Sequence, residues 1–166
     1  MSKILEAIDV AVPVRTAYDQ WTQFETFPAF MDGIKSVQQL DDATVHWVAD
    51  VGGRRKEWDA KITEQTPDQR IAWTATEGAH NAGVVTFHRI DDGHSRVTLQ
   101  LDVDPEGPIE TVGDALGIVK GRVKGDMERF KDFIEKRRTE TGAWRGEIDQ
   151  GRVERASEQQ HQRRAS

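Results

Sequence analysis

The 166-residue chain has no cysteine and one tyrosine, and no apolar run in it is long enough to cross a bilayer or act as a signal peptide. The first absence removes disulfides, thiolate nucleophiles and cysteine metal ligands. The missing apolar run leaves a soluble, cytoplasmic protein without membrane insertion as the expectation. Positive charge is also short: 23 Lys and Arg stand against 29 Asp and Glu, a net charge of −6. No overall positive field draws in polyanions, so no nucleic-acid partner is expected. The local run Arg54, Arg55 and Lys56 reads as hairpin residues in water.

What is present is a clear order of elements. "ILEAIDVAV" puts Ile4, Ile8, Val10 and Val12 on one parity, as a half-buried strand requires. Pro13 ends it and suits the start of a helix in "VRTAYDQWTQF", with Val14, Ala17, Tyr18, Trp21 and Thr22 on one side. "ETFPAFM" predicts a second short helix, broken at Pro28. From residue 34 to 104, turn signals at "DDAT", "VGGR", "TPDQ", "GAHNAG" and "DDGH" separate six further strands. Connections this short make neighbouring strands antiparallel. "PEGP" closes the sheet, and a long helix follows from about Ile109 to Arg138, with Val112, Leu116, Val119, Val123, Met127, Phe130 and Ile134 at helical spacing. The segment 141–166 is polar and mixed in charge, which predicts a disordered tail outside a 1–140 domain, with Trp144 as a single anchor.

Three stretches carry a resemblance. "VAVPVRTAYDQWTQFETFPAFM" resembles the opening of the START-like polyketide cyclase/dehydrase superfamily, also labelled SRPBCC. "HRIDDGHSRVTLQLDVDPEG" is similar to its last hairpin, and "GDMERFKDFIE" to its C-terminal helix. The likeness spans about residues 3 to 138. It implies an α+β helix-grip fold, in which a seven-stranded curved antiparallel sheet wraps a long C-terminal helix and two short helices lie between strands 1 and 2. It also implies a cavity between sheet and helix. Lipid and quinone carriers, hormone receptors, aromatases and cyclases share this superfamily, so the fold leaves the activity open.

Strand parity gives a census of that interior, because side chains alternate faces. The inward sets are Val45, Trp47, Ala49 and Val51; Lys56, Trp58, Ala60 and Ile62; Ile71, Trp73 and Ala75; Gly83, Val85 and Phe87; and Val97, Leu99, Leu101 and Val103. Trp47, Trp58, Trp73, Phe87, Leu99 and Leu101, with Val112, Leu116, Val119 and Val123 from the helix, are the expected ligand-binding residues. Lys56, Glu77, His80, Asn81 and Arg89 are expected at the rim. Aromatic walls with a few polar groups suit a flat or oily small molecule; the same residues would also serve as a filled core.

Covalent and metal chemistry find little support. No serine, threonine or cysteine pairs with an oriented histidine in a recognisable pattern. His46 and His88 fall on the outward parity and His80 and His94 in loops, so neither a metal nor a cofactor is expected. General acid/base chemistry needs only one or two tuned polar groups, and Glu6, on the inward parity of the first strand, is the candidate catalytic residue. Two functions follow: binding or carriage of a polyketide, quinone, lipid or aromatic metabolite, or cyclisation, aromatisation or dehydration of a polyketide in the same cavity.

Gly113, Gly117, Gly121 and Gly125 recur every fourth residue in the long helix. At about 100° per residue they drift from about 100° to about 220° away from the apolar stripe, which itself stays within about 60° of one direction. That outer strip fits a bending gate over the cavity, a contact with a second copy in a homodimer, or plain surface tolerance. A membrane-helix role is excluded by Asp114, Lys120, Arg122, Lys124 and Asp126.

Overall fold

The computed structural model describes residues 2–51, 53–76, 81–103 and 112–155, with the backbone alone described for 112–119 and for a few residues beside the gaps. Strand β1 (Ser2–Val10) leads through Pro13 into helix α1 (Val14–Trp21), and a 3₁₀ turn (Phe24–Ala29) with Pro28 inside it follows. The meander β2 (Ile34–Asp41), β3 (Thr44–Val51), β4 (Arg54–Thr66), β5 (Arg70–Ala75), β6 (Asn81–Asp91) and β7 (His94–Val103) comes next, then helix α2 (Val112–Arg137). The sheet order is β1-β7-β6-β5-β4-β3-β2 with antiparallel neighbours, so the first strand returns to pair with the last of the meander. This is the α+β arrangement of an open antiparallel sheet and a long C-terminal helix.

One face of the sheet is apolar because the alternation holds through the register. Ile4, Glu6, Ile8 and Val10 lie opposite Leu101, Leu99, Val97 and Ser95, and Trp47 lies opposite Trp58. The helix α2 crosses this face with Val123, Met127, Phe130 and Ile134 buried. It is held at two places. Glu135 Oε2 accepts the Ala11 N–H at 2.8 Å and Lys131 Nζ donates to the Asp9 carbonyl at 3.0 Å; further up, Arg129 Nε donates to the Phe30 carbonyl at 3.0 Å and Asp126 Oδ1 accepts the Asp32 N–H at 2.9 Å. Edge-to-face contacts of Trp21 and Phe30 with Phe130 fill the space between.

Two departures from the sequence reading have clear causes. A register shift between Ile62 and Glu64 inserts one residue into β4, so beyond it the parity inverts and Gln65 turns inward, 1% exposed. The segment after residue 140 is the larger correction. Thr141 through Arg155 lie on the domain rather than trailing from it, and β8 (Glu147–Asp149) and β9 (Arg152–Arg155) form a hairpin. Glu64 pairs with Ala72 of β5 and with Asp149 of β8, so β8 occupies the β4 edge that β3 has left. Residues 156–166, the rest of the expected tail, lie outside the described residues.

A polar clasp offsets the ordering entropy that composition alone could not. Arg145 donates to Asp19 at 2.6 Å and to Asp68 at 2.8 Å and lies 5.5 Å from the centre of the Tyr18 ring. Gln20 exchanges hydrogen bonds with Thr141, Thr22 Oγ1 accepts the Trp144 N–H, and the Trp144 and Ile148 side chains are buried. Helix α1 is therefore covered on both sides, by the sheet and by this strap.

Candidate functional site

Between the sheet, α2 and the segment 27–34 lies a cavity of about 210 Å³. Trp47, Trp58, Trp73, Leu99 and Leu101 wall it from the sheet, Val123 and Met127 from α2, and Trp21, Phe27 and Phe30 from below. Trp47 and Trp58 stand parallel across the β3–β4 ladder, their ring centres 6.1 Å apart. Trp73 is admitted by its cross-strand partner Gly83: a β-carbon there would sit 2.5 Å from Trp73 Cζ2 and 2.9 Å from Leu101 Cδ2. Deeper, a separate void of about 20 Å³ lies among Trp21, Phe24, Ile62, Ile71 and Val85, room for one water at most and without polar lining to hold it. The two interior accounts thus divide the space, a filled core below and an open cavity above. Trp21 Nε1 is buried and has no acceptor among the described residues.

The volume limits the occupant. An apolar cavity of about 150 Å³ takes benzene, and drug-sized sites run to roughly 300–1,000 Å³. A molecule of one or two rings fits the cavity as it stands.

One end is polar, and Asp32, Gly33, Arg122 and Asp126 line it. Gly33 has φ +88°, and a β-carbon there would lie 2.7 Å from Arg122 Nη1, so the guanidinium lies directly across the glycine. Arg122 Nη1 donates to the Asp50 carbonyl at 3.4 Å, while the Asp50 N–H donates to the Gly33 carbonyl at 2.7 Å. Asp126 accepts from Arg129 and from the Asp32 backbone, and burial pushes its carboxyl above the usual carboxylate range, with Arg129 opposing.

The expected site residues separate. Trp47, Trp58, Trp73, Leu99, Leu101 and Val123 come together around the cavity. Phe87 does not: it is buried under α1, edge-on to Tyr18 at 5.2 Å, because the floor of the fold lies at that end of β6. Arg89 is likewise displaced from the rim. It pairs with Asp92 in the β6–β7 hairpin, six residues along the strand from Gly83. Lys56 sits opposite Ala49, which lines the cavity, but its own side chain is exposed. Glu6 shares the inner face with Leu99 and is half-buried, outside the described cavity lining. The side chains of Glu77, His80, Asn81, Val112, Leu116 and Val119 lie outside the described residues. Of the glycine strip, Gly121 has open space around it and Gly125 lies beside the Arg129 guanidinium.

The polar end does not show in the apolar pattern of the sequence. Arg122 and Asp126 flank Val123 and Met127 on α2, and a strict apolar stripe discards such neighbours. Their signal was positional: polar residues one place before buried ones line the edge of the same face.

A family model described as "Polyketide cyclase / dehydrase and lipid transport" matches residues 10–132. An uncharacterised 17.2 kDa protein of Streptomyces lincolnensis is 59% identical over 149 residues, 89% of this chain and 99% of that one. Among solved structures, the Zhui aromatase/cyclase of Streptomyces sp. R1128 is similar with a TM-score of 0.70 at 16% identity, over 82% of this chain and 94% of its own. A START superfamily protein of Mycobacterium smegmatis is similar with a TM-score of 0.68 at 12% identity, over 81% and 97%. At such identities the two structures speak for the fold. Among the described residues no helix is long and apolar enough to cross a membrane, and no group of His, Asp or Glu is placed to hold a metal ion.

Proposed function

Because the chain belongs to the polyketide cyclase/dehydrase and lipid transport family, we propose that it binds or carries a small hydrophobic molecule of one or two rings in the cavity between the sheet and α2. The observation that carries this reading is the cavity itself: about 210 Å³, walled by four tryptophans, with its polar groups gathered at one end. An interior that needed only stability would close such a space, since each unfilled volume forfeits packing energy. Stacking on Trp47, Trp58 and Trp73 favours flat ligands over flexible chains. Native mass spectrometry of freshly purified protein is the test: a bound hydrophobe, released on denaturation, is the expected result. Protein that emerges empty and takes up no added hydrophobe removes the reading.

The second reading, cyclisation or dehydration of a polyketide, has one observation in its favour. Asp126 presents a carboxyl to the cavity whose proton affinity burial has raised, the condition for donating and accepting a proton at a bound enol. Turnover of a poly-β-ketone, lost in Asp126→Asn, supports that reading, and absence of turnover by the unaltered protein ends it.

A further inference from the structure

Arg122 is the cation at the polar end of a cavity whose other walls are apolar, and it forms no ion pair among the described residues. Its one hydrogen bond among the described residues, 3.4 Å to the Asp50 carbonyl, uses one of five donors and is long. The other charges at that end are accounted for. Asp126 is bonded to Arg129 and to the Asp32 N–H, the Asp50 carboxylate pairs with Lys35 at 3.3 Å, and Asp32 stands exposed to water. The site has also been shaped around the guanidinium. Gly33, in the left-handed region, lets Nη1 lie where a β-carbon would stand only 2.7 Å from it, and the Asp50–Gly33 backbone bond fixes the loop beneath it.

From this geometry we infer that Arg122 anchors the ligand, and that the ligand is a flat hydrophobic molecule carrying one anionic oxygen group, a carboxylate or an ionised enol or phenol. The inference rests on the cavity reading above and narrows it. The rings occupy the space between Trp47, Trp58, Trp73 and Leu101, and the anionic group lies at the Gly33–Arg122 end. There a planar guanidinium offers two parallel hydrogen bonds to a carboxylate, or a charge-assisted bond to a single enolate or phenolate oxygen. The half-desolvated mouth strengthens that pairing relative to open water.

Calorimetric titration with three probes of one ring system tests it: 2-naphthoate, its neutral isostere 2-naphthamide, and the cation 2-naphthylmethylammonium. The expected result is naphthoate binding at least about tenfold tighter than the amide, with Arg122→Gln bringing the two affinities together. Arg122→Lys should retain part of the preference, since it keeps the charge and loses the fork. Thermal melting of both variants checks that they fold as the parent does. Equal binding of acid and amide, a preference that survives Arg122→Gln, or tighter binding of the cation overturns the anchor while the cavity stands. No binding of any probe overturns both.

Discussion

Gly83 and Trp73 face each other across the β5–β6 ladder, and the cavity depends on that pairing. A β-carbon at 83 would come within 2.5 Å of an indole ring that is rigid and hemmed in by Leu101. Gly83→Ala should therefore cost about 1–3 kcal/mol by overpacking and turn Trp73 out of its place. Thermal melting and the tryptophan emission spectrum check this; an unchanged melting temperature with unchanged emission would contradict the packing described. Residue by residue, the aromatic walls were legible in the sequence because alternation assigns a whole strand from one confident position. Trp47, Trp58 and Trp73 follow from that rule alone. Phe87 obeys the same rule and still misses the cavity, because parity gives a face and not a place along it. Gln65 breaks the rule, since one inserted residue in β4 inverts everything after it.

The strap from Thr141 to Arg155 was illegible for a different reason. Its composition is that of a solvated tail, and its order comes from a few specific polar contacts on α1. On that helix Asp19 and Gln20 look like water-facing residues, yet they are 2% and 0% exposed because the strap covers them. Burial pushes the Asp19 carboxyl up to about 6, against the pull of Arg145, and the guanidinium keeps the pair charged near neutrality. Arg145→Met leaves that buried carboxylate with only the exposed Arg15 guanidinium, 3.7 Å away, which should cost roughly 3 kcal/mol at pH 8. The sign with pH follows from linkage. The folded-state pKa of Asp19 is raised above the unfolded value and rises further without Arg145. The variant's carboxyl is then neutral near pH 5, and the penalty shrinks there. Urea unfolding of parent and variant at pH 5 and pH 8 checks this; a penalty independent of pH, or larger at pH 5, would contradict the clasp. Helix α2 was more legible. Its buried residues Val123, Met127, Phe130 and Ile134 are those the spacing predicts, whereas Arg122 and Asp126 became visible only once the helix was set against Gly33 and Asp32.

Taken whole, the molecule is a sheet closed over by one helix at the top and one strap at the side, and the two closures are built differently. The strap and α1 seal the lower end with a packed core, and the void described in it has room for at most a water. The upper end is left open as a cavity about ten times that size. The order of strands and helices carried the fold class, and the motifs at its two ends carried the family. Neither could say that the interior is half core and half cavity, because that depends on how far α2 stands from the sheet. The function proposed for this space is to hold a ring-sized hydrophobic molecule. Diffraction from crystals grown with 2-naphthoate tests it most directly. Density for the rings is expected between Trp47, Trp58, Trp73 and Leu101, with the carboxylate toward Arg122. A cavity that remains empty at saturating ligand, or a ligand found only on the outer surface, would contradict it.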